Sequence, residues 1–249
     1  MTTVEGSFHL DSVAIPFQPG QTIMDAALAA AVYIPHLCHH PALSPHGSCR
    51  LCVVRVNGRE VASCTTPAAA GLEVESETEA LRALRVGILQ MLFVEGNHVC
   101  PACERTGACE LQAVAYHCGM LEPHFTHFFP HRELDASHPD LVLDRNRCIL
   151  CERCVRASRE LDRKQVFAVA GRGLNSRLIV DSPTGRLGDS RLALTDQAAH
   201  ICPVGAILPR HRAGDVGERH GFRVPIGERR YDREPISRLG DAATLTEDS

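Results

Sequence analysis

Short apolar runs near the N-terminus alternate with polar positions, and this pattern predicts β-strands. The runs Phe8–Leu10 and Val13–Ile15 are spaced like two paired strands. Two further runs, Leu51–Val56 and Glu60–Cys64, flank Asn57-Gly58, a strong signal for a two-residue hairpin turn. The N-terminal part of the chain therefore predicts a small sheet.

A short helix is predicted between these two pairs of strands. After a turn at Pro19-Gly20, Thr22 is a candidate N-cap for an alanine-rich helix through Ala31. A sheet crossed by one helix resembles the β-grasp fold of plant-type ferredoxins.

A second helix follows the sheet. Ser76 or Thr78 is its candidate cap, and Gly96-Asn97 ends it. Its predicted packing face consists of apolar residues at three- and four-residue steps: Leu81, Leu84, Ile88 and Leu92. We interpret this face as a packing surface, through which the helix positions the loop that follows it.

The remaining chain predicts a linker, a few strands and a tail. Leu121–Pro139 is rich in His, Phe and Pro without clear periodicity, which favours a linker. Pro183-Thr184-Gly185 predicts a turn between segments. Apolar runs predict three strands, at Leu141–Leu143, Val166–Val169 and Leu178–Val180. Arg210–Arg238 carries eight Arg against five acidic residues, as expected for a solvated terminus or an arm that docks on a partner.

Cysteine is the most informative residue type, with twelve among 249 residues. The N-terminus lacks the basic and apolar regions of an export signal, and the longest apolar stretch, Ala26–Ile34, is too short to span a bilayer. We therefore expect a cytoplasmic protein without membrane contact, in which close cysteines bind metal instead of forming disulfides. A net charge of −4 implies no nucleic-acid partner.

The first cysteine group contains four residues: Cys38, Cys49, Cys52 and Cys64. Gly47 lets the backbone fold tightly, and small residues here leave amide N–H groups free to hydrogen-bond cluster sulfur. Three thiolates in a loop and one on a strand fit a [2Fe–2S] site. The ten-residue gap after Cys38 is wider than in plant ferredoxins, so the spacing leaves zinc open. His39 and His40 invite a Rieske-type interpretation, but their spacing is not repeated around the other cysteines.

The second group is an incomplete cysteine set: Cys100, Cys103 and Cys109. Three cysteines need a fourth ligand, and His98, His117 and Cys118 all lie nearby along the chain. A lone histidine is seldom a ligand, whereas one beside an incomplete cysteine triplet is a stronger candidate. For Cys118 we favour a small buried side chain.

The third group has the most specific spacing, C-x2-C-x2-C: Cys148, Cys151 and Cys154. Such a run wraps three corners of a [4Fe–4S] cube. In two-cluster ferredoxins a fourth cysteine follows after three residues, but that position is Ser158 here. Cys202, followed by Pro203, lies far downstream and supplies the missing ligand. Zinc seldom takes three thiolates from so short a turn.

Two of these segments resemble a known family. Cys100–Gln112 is similar to the histidine/cysteine-cluster motif of the large iron–sulfur subunit of respiratory complex I, and Arg147–Val155 is similar to its tetranuclear-cluster motif. That subunit continues into a further large domain. A shorter chain with all three signatures is most similar to the small diaphorase subunits of cytoplasmic NAD-reducing [NiFe]-hydrogenases, which Glu95–Pro101 and Pro225–Tyr231 also resemble. The resemblance covers roughly residues 5–235.

The resemblance implies an α+β chain in four parts: an N-terminal β-grasp [2Fe–2S] ferredoxin-like domain (1–78), a helical His/Cys-cluster segment (79–125), a C-terminal [4Fe–4S] ferredoxin-like domain (126–212) and an extended tail that docks on a partner (213–249). It assigns one [2Fe–2S] cluster to the first cysteine group and one [4Fe–4S] cluster to the third. A second [4Fe–4S] cluster takes His98 with the cysteines of the second group. One departure stands at position 96, where complex I has the histidine ligand and this chain has Gly96.

The implied function is electron relay. Electrons from a [NiFe] site on the hydrogenase small and large subunits pass through this chain towards a flavin- and NAD-binding diaphorase subunit, and the flow is reversible. We expect no catalytic residue and no substrate site in this chain. Two alternatives remain from the sequence: a relay subunit of an NAD-dependent formate dehydrogenase or complex I relative, and a zinc-binding structural or adaptor protein.

Overall fold

A computed structural model describes residues 6–210. The strands of this part are β1 Gly6–Leu10, β2 Val13–Phe17, β3 Val53–Val56, β4 Arg59–Ala62, β5 Glu73–Glu75, β6 Leu134–Asp135, β7 Leu141–Asp144, β8 Phe167–Ala170, β9 Arg177–Val180 and β10 Ile207–Pro209. The α-helices are α1 Ile23–Ala29, α2 Glu79–Val94, α3 Glu110–His117, α4 Arg153–Glu160 and α5 Gln197–His200. The described chain is thus mixed α and β, as expected.

The first five strands form one sheet in the order β2-β1-β5-β3-β4. The pairs β1–β2 and β3–β4 are antiparallel hairpins, which confirms both strand pairs predicted from the sequence. Strand β5 inserts between them, parallel to β1 and antiparallel to β3. It was not predicted because it is only three residues long and presents a single apolar side chain, Val74, between two glutamates.

Helix α1 crosses this sheet and covers its apolar face. Thr22 caps the helix in a capping box with Asp25, which satisfies two amide groups at once. The helix ends at Ala29, two residues before the predicted end. Its buried side chains pack with those of the sheet in one core, whose larger members are Phe8, Leu10, Ile15, Phe17, Ile23, Met24 and Leu28.

Helix α2 has the predicted cap and part of the predicted packing face. The Thr78 side chain accepts from the amide of Leu81, as expected of an N-cap. Leu81 is buried, and Ile88 and Leu92 pack against the core. Leu84, however, is 40% exposed, so the predicted face is wrong at that position. The buried face runs through Leu81, Arg85, Leu89 and Phe93. The error arose because a charged residue occupies a core position: the Arg85 guanidinium donates to the backbone carbonyls of Leu51, Val53 and Ser76.

The C-terminal part contains two small sheets around a second core. One has the order β10-β7-β6 and the other is the β8–β9 hairpin, both antiparallel. Helices α4 and α5 pack beside them, and their side chains share a core with Leu141, Leu143, Phe167 and Ile207. All three strands predicted here are present, to within a residue at their ends. Strand β10 was not predicted, although it proves important for the site.

The predicted linker is largely without regular structure, with β6 as the exception. The predicted docking arm begins at Arg210, the last described residue, so the interpretation of its remainder lies outside the described residues. Within residues 6–210, no helix has the length and apolar character needed to cross a bilayer.

Candidate metal centres

The first cysteine group comes together at the edge of the N-terminal sheet. Cys38 lies in the loop after α1, Cys49 and Cys52 precede β3, and Cys64 follows β4. The four thiols are close together: Cys52 Sγ lies 3.3 Å from Cys64 Sγ, and the Cys38 and Cys49 thiols each accept from the other's amide at 3.5 Å. Gly47, at φ +76°, and Arg50, at φ 59°, curl the loop that carries Cys49.

The thiols of this group perturb one another strongly. Contacts with the Cys49 and Cys64 thiols lower the pKa of Cys38, and contact with Cys64 lowers the pKa of Cys52 to about 7. Contact with Cys38, together with burial, raises the pKa of Cys49, and contacts with Cys38 and Cys52 raise that of Cys64. The arrangement is typical of thiols crowded close enough to share protons, and iron ions can take the place of those protons.

The histidines beside Cys38 do not join the thiol set. His39 is buried with its Nε2 atom 3.7 Å from a carboxylate oxygen of Asp25, and His40 Nδ1 accepts from the amide of Ala42. Burial lowers the pKa of His39 to about 3 and that of His40 to about 2. These polar contacts of the two histidines are not with the four thiols.

The second group surrounds a small cavity between α2, α3 and the loops that join them. The predicted ligands are all on its wall: His98, Cys100, Cys103 and Cys109. Phe93 and Leu111 complete its apolar side. Cys109 stands directly before α3, and burial raises its pKa to about 12. A bound metal cluster would lower the cost of burying the deprotonated Cys109 thiolate, because the metal takes the proton's place on sulfur.

The three candidates for a fourth ligand lie in different places. His98 is on the cavity wall, and its buried Nε2 atom has no hydrogen-bond partner. Burial and Arg147 lower the pKa of His98 to about 4, so the ring is neutral at pH 7. The His117 ring instead packs 5.0 Å from the ring of Tyr33, and Cys118 is buried in the apolar core with Met120, as predicted.

Glycine 96 gives His98 its position. A Cβ atom at Gly96 would lie 2.5 Å from His98 Nε2 and 2.7 Å from Cδ2, well inside contact distance. The His98 ring therefore stands in space that any side chain at position 96 would occupy.

The third group encloses a second cavity, lined by all four predicted cysteines: Cys148, Cys151, Cys154 and Cys202. The other lining side chains are mostly apolar and include Leu178 and Ile207. Leu150 and Glu152 adopt φ values of 52° and 57°, which curls the loop around the cavity at a cost of about 1 kcal/mol each. Burial raises the pKa of Cys148 to about 11.

Strand pairing explains how Cys202 reaches the other three cysteines. In the β7–β10 pair, Ile207 lies opposite Leu143. Cys202 is five residues before Ile207 and Cys148 is five residues after Leu143, so both leave the same end of the paired strands. Ser158 is not available as a local ligand because its Oγ accepts from the amide of Val166 in the core.

Contacts between the sites were not anticipated from the sequence. Val204 lines both the second and the third cavity. Arg153 of α4 pairs with Glu110 of α3 at 2.9 Å, and Arg156 donates to the carbonyl of Cys38 in the first site. Arg153 lies within the third cysteine motif and Arg156 two residues after it. No signal in the spacing reveals that their side chains reach the other two groups.

The donors of two groups surround an enclosed space. Among residues 6–210, no group of three or more His, Cys, Asp and Glu side chains is arranged as the ligand set of a single metal ion. In the second and third groups the donors line a cavity, which suits a polynuclear cluster whose ligands attach to different irons. All twelve cysteines have free thiols.

Three family models match the chain in series. Residues 5–79 match a 2Fe–2S iron–sulfur cluster binding domain, residues 85–124 match the iron–sulfur binding region of NADH-ubiquinone oxidoreductase G, and residues 141–208 match a 4Fe–4S single cluster domain. The chain thus contains both 2Fe–2S and 4Fe–4S binding domains.

Comparison with individual proteins decides the family. The chain is 36% identical over 228 residues to the NAD-reducing hydrogenase HoxS subunit gamma of Cupriavidus necator, covering 91% of this chain and 93% of that protein. The chain belongs to this family. A crystal structure of NAD+-reducing [NiFe]-hydrogenase in the H2-reduced state contains a chain 55% identical to this one, with a TM-score of 0.80 over 93% of this chain and 96% of that chain.

Similarity to respiratory enzymes is also present but covers a smaller share of them. NADH-quinone oxidoreductase subunit 3 of Thermus thermophilus is 32% identical over 230 residues, which is 76% of this chain and 28% of that subunit. Members of the HoxS gamma family are iron–sulfur electron-transfer subunits of an oxidoreductase complex, and this chain is one of them. The zinc-binding alternative is therefore not supported.

Proposed function

We propose that the chain relays electrons through three clusters between a [NiFe] hydrogenase module and a flavin- and NAD-binding diaphorase module. The observation that carries this proposal is the placement of each predicted ligand set around its own site, with Val204 as a shared wall between two of them. A side chain that lines both cavities means that the two sites are adjacent, which electron transfer between them requires. The family relationship supports a cytoplasmic location and partners of this kind.

The proposed ligands follow the three groups. One [2Fe–2S] cluster is held by Cys38, Cys49, Cys52 and Cys64. One [4Fe–4S] cluster is held by His98, Cys100, Cys103 and Cys109. A second [4Fe–4S] cluster is held by Cys148, Cys151, Cys154 and Cys202. The proposed units are residues 1–78, 79–125, 126–212 and 213–249.

The crowding of the four thiols in the first site supports a cluster there. Cys52 Sγ lies 3.3 Å from Cys64 Sγ, the thiols of Cys38 and Cys49 each accept from the other's amide, and the Cys38 thiol also contacts that of Cys64. When bound, the clusters supply the one-electron redox chemistry. The chain's own contribution is to hold the sites at fixed separations and exclude water, which the apolar side chains around the third cavity achieve.

Anaerobic purification with native partners tests this function. We expect about ten irons per chain, two from the first site and four from each of the others, with little zinc. Hydrogen-dependent reduction of NAD+ and nickel in the complex would support the proposed partners. Molybdenum with formate-dependent reduction would point to the formate dehydrogenase alternative, and a colourless protein with stoichiometric zinc would refute electron relay.

A further inference from the structure

The positively charged side chain of Arg147 lines the second site on the side that faces the third. Arg147 directly precedes Cys148, a proposed ligand of the third site, but its guanidinium turns the other way. The Nη1 atom donates to Cys103 Sγ at 3.6 Å, a longer distance than to oxygen because sulfur is the larger atom. Arg147 also lines the second cavity, and only 20% of its side chain is exposed.

Two carboxylates hold this guanidinium in place. Its Nε atom pairs with Asp144 Oδ2 at 2.9 Å, and Nη1 also contacts the carboxylate of Glu104. Asp144 is largely buried, whereas Glu104 is half exposed. Because Asp144 and Glu104 bind different nitrogens, the planar group cannot rotate freely, and an N–H of Nη1 stays beside the sulfur.

The backbone opposite leaves this contact unobstructed. Gly205 lies against both groups: a Cβ atom there would be 3.2 Å from Arg147 Nη1 and 3.3 Å from Cys103 Sγ. A side chain at this position would press on the arginine and the sulfur together. Gly205 thus allows the third-site loops to approach the second site.

We propose that Arg147 tunes the second cluster from the loop that binds the third. The inference rests on the proposed function, in which Cys103 is a cluster ligand. An N–H donor and a positive charge beside a ligand sulfur stabilise the reduced, more negative cluster and so raise its reduction potential. The loop that delivers Cys148 to one cluster therefore sets the potential of its neighbour.

Redox titration of the full-length, iron-loaded protein, followed by electron paramagnetic resonance, tests the proposal. Nitrogen coupling from His98 in pulsed spectra identifies the second cluster. Arg147→Gln should shift the midpoint of that cluster to more negative values, by more than it shifts the first or third cluster. Arg147→Lys should restore part of the shift because it keeps the charge.

A matched control lies on the same turn. Arg145 donates to the carbonyl of Leu178 and, unlike Arg147, does not line the second cavity. Arg145→Gln removes a charge of the same sign, only two residues away, and should leave the midpoint of the second cluster in place. An equal shift from both variants would show that Arg147 acts only as one of many distant charges, and would overturn the proposal.

If Arg147→Gln does not load iron, two further variants that keep Arg147 test the proposal. Glu104→Gln removes the exposed carboxylate beside Arg147 and should raise the midpoint. Gly205→Ala should lower it by less than Arg147→Gln does, because it pushes Nη1 away from the sulfur without removing the charge. An unchanged midpoint in both variants, at normal iron content, refutes the inference. Absence of iron from the unaltered protein refutes the proposed function instead.

Discussion

The second and third sites differ in where their ligands and their walls originate. The proposed ligands of the second site all lie within residues 98–109, whereas the third site depends on Cys202, which arrives through the β7–β10 pairing. The walls show the opposite pattern. Arg147, Val204 and Gly205 reach the second cavity from third-site segments, while the residues lining the third cavity all lie within 148–207. A site whose ligands are close together in the sequence can therefore still depend on distant segments for the residues that surround it.

The largest expected effect comes from removing the distant ligand. Cys202→Ser should abolish the third cluster, with the loss of about four irons per chain, and should also disturb the second cluster because Val204 and Gly205 follow in the same loop. Iron and acid-labile sulfide analysis measures the loss. The control, Cys118→Ser, changes a cysteine outside all three groups and should keep every iron. We expect the second site to depend on segments of the third, but not the reverse. If Cys103→Ser disturbed the third cluster as much as Cys202→Ser disturbs the second, this expectation would be wrong.

A buried ion pair joins the helices of the two sites. Arg153 of α4 is 1% exposed and pairs with Glu110 at the start of α3. Arg153→Met leaves the Glu110 carboxylate poorly compensated and should destabilise the fold by about 3 kcal/mol. Anaerobic thermal scans at a fixed rate should show a melting temperature lower by roughly 6–12 °C. Arg159→Met, which alters an exposed pair on the same helix, should cost less than about 1 kcal/mol.

The space kept by Gly96 offers a local test of the second site. Gly96→Ala places a methyl group 2.5 Å from His98 Nε2 and should displace the ring from the cavity. The nitrogen coupling of the second cluster should weaken or disappear, while the third cluster stays intact. Gly87→Ala provides the control because a Cβ there meets nothing within 4 Å, and in a helix it should stabilise by up to about 1 kcal/mol. Unchanged nitrogen coupling in Gly96→Ala would show that His98 is not held by this contact.

The smallest expected effect is a change of potential without loss of a cluster. His98→Cys replaces a neutral ring with a thiolate, which makes the second cluster more negative and should lower its midpoint, other terms being equal. The midpoint of the third cluster serves as the internal reference. His117→Ala should change neither value, since the His117 ring packs on Tyr33. An unchanged second midpoint in His98→Cys would count against the histidine as a tuning ligand.

Much of the fold could be predicted because its signals are local. The strand pairs around Asn57-Gly58 and near the N-terminus, and the Thr78 cap, depend on residues only a few positions apart. The predicted face of α2 was wrong at Leu84 and missed Arg85, which lies in the core, where three backbone carbonyls satisfy its guanidinium. Hydrophobic periodicity treats arginine as a surface residue and cannot anticipate such partners. Strand β5 was not predicted because its central position in the sheet depends on partner strands that are distant in the chain.

The sequence by itself determined the three cysteine groups and, through the resemblance of its motifs, the family and the proposed ligand His98, because these signals lie in short segments of the chain. Only the tertiary structure decided what surrounds each site. The approach of Cys202 depends on the β7–β10 register, and the contact of Arg147 with Cys103 depends on two loops 44 positions apart meeting across Gly205. Ligand identity is a local chemical property, whereas the charges and hydrogen bonds that set a potential come from whatever the fold brings near.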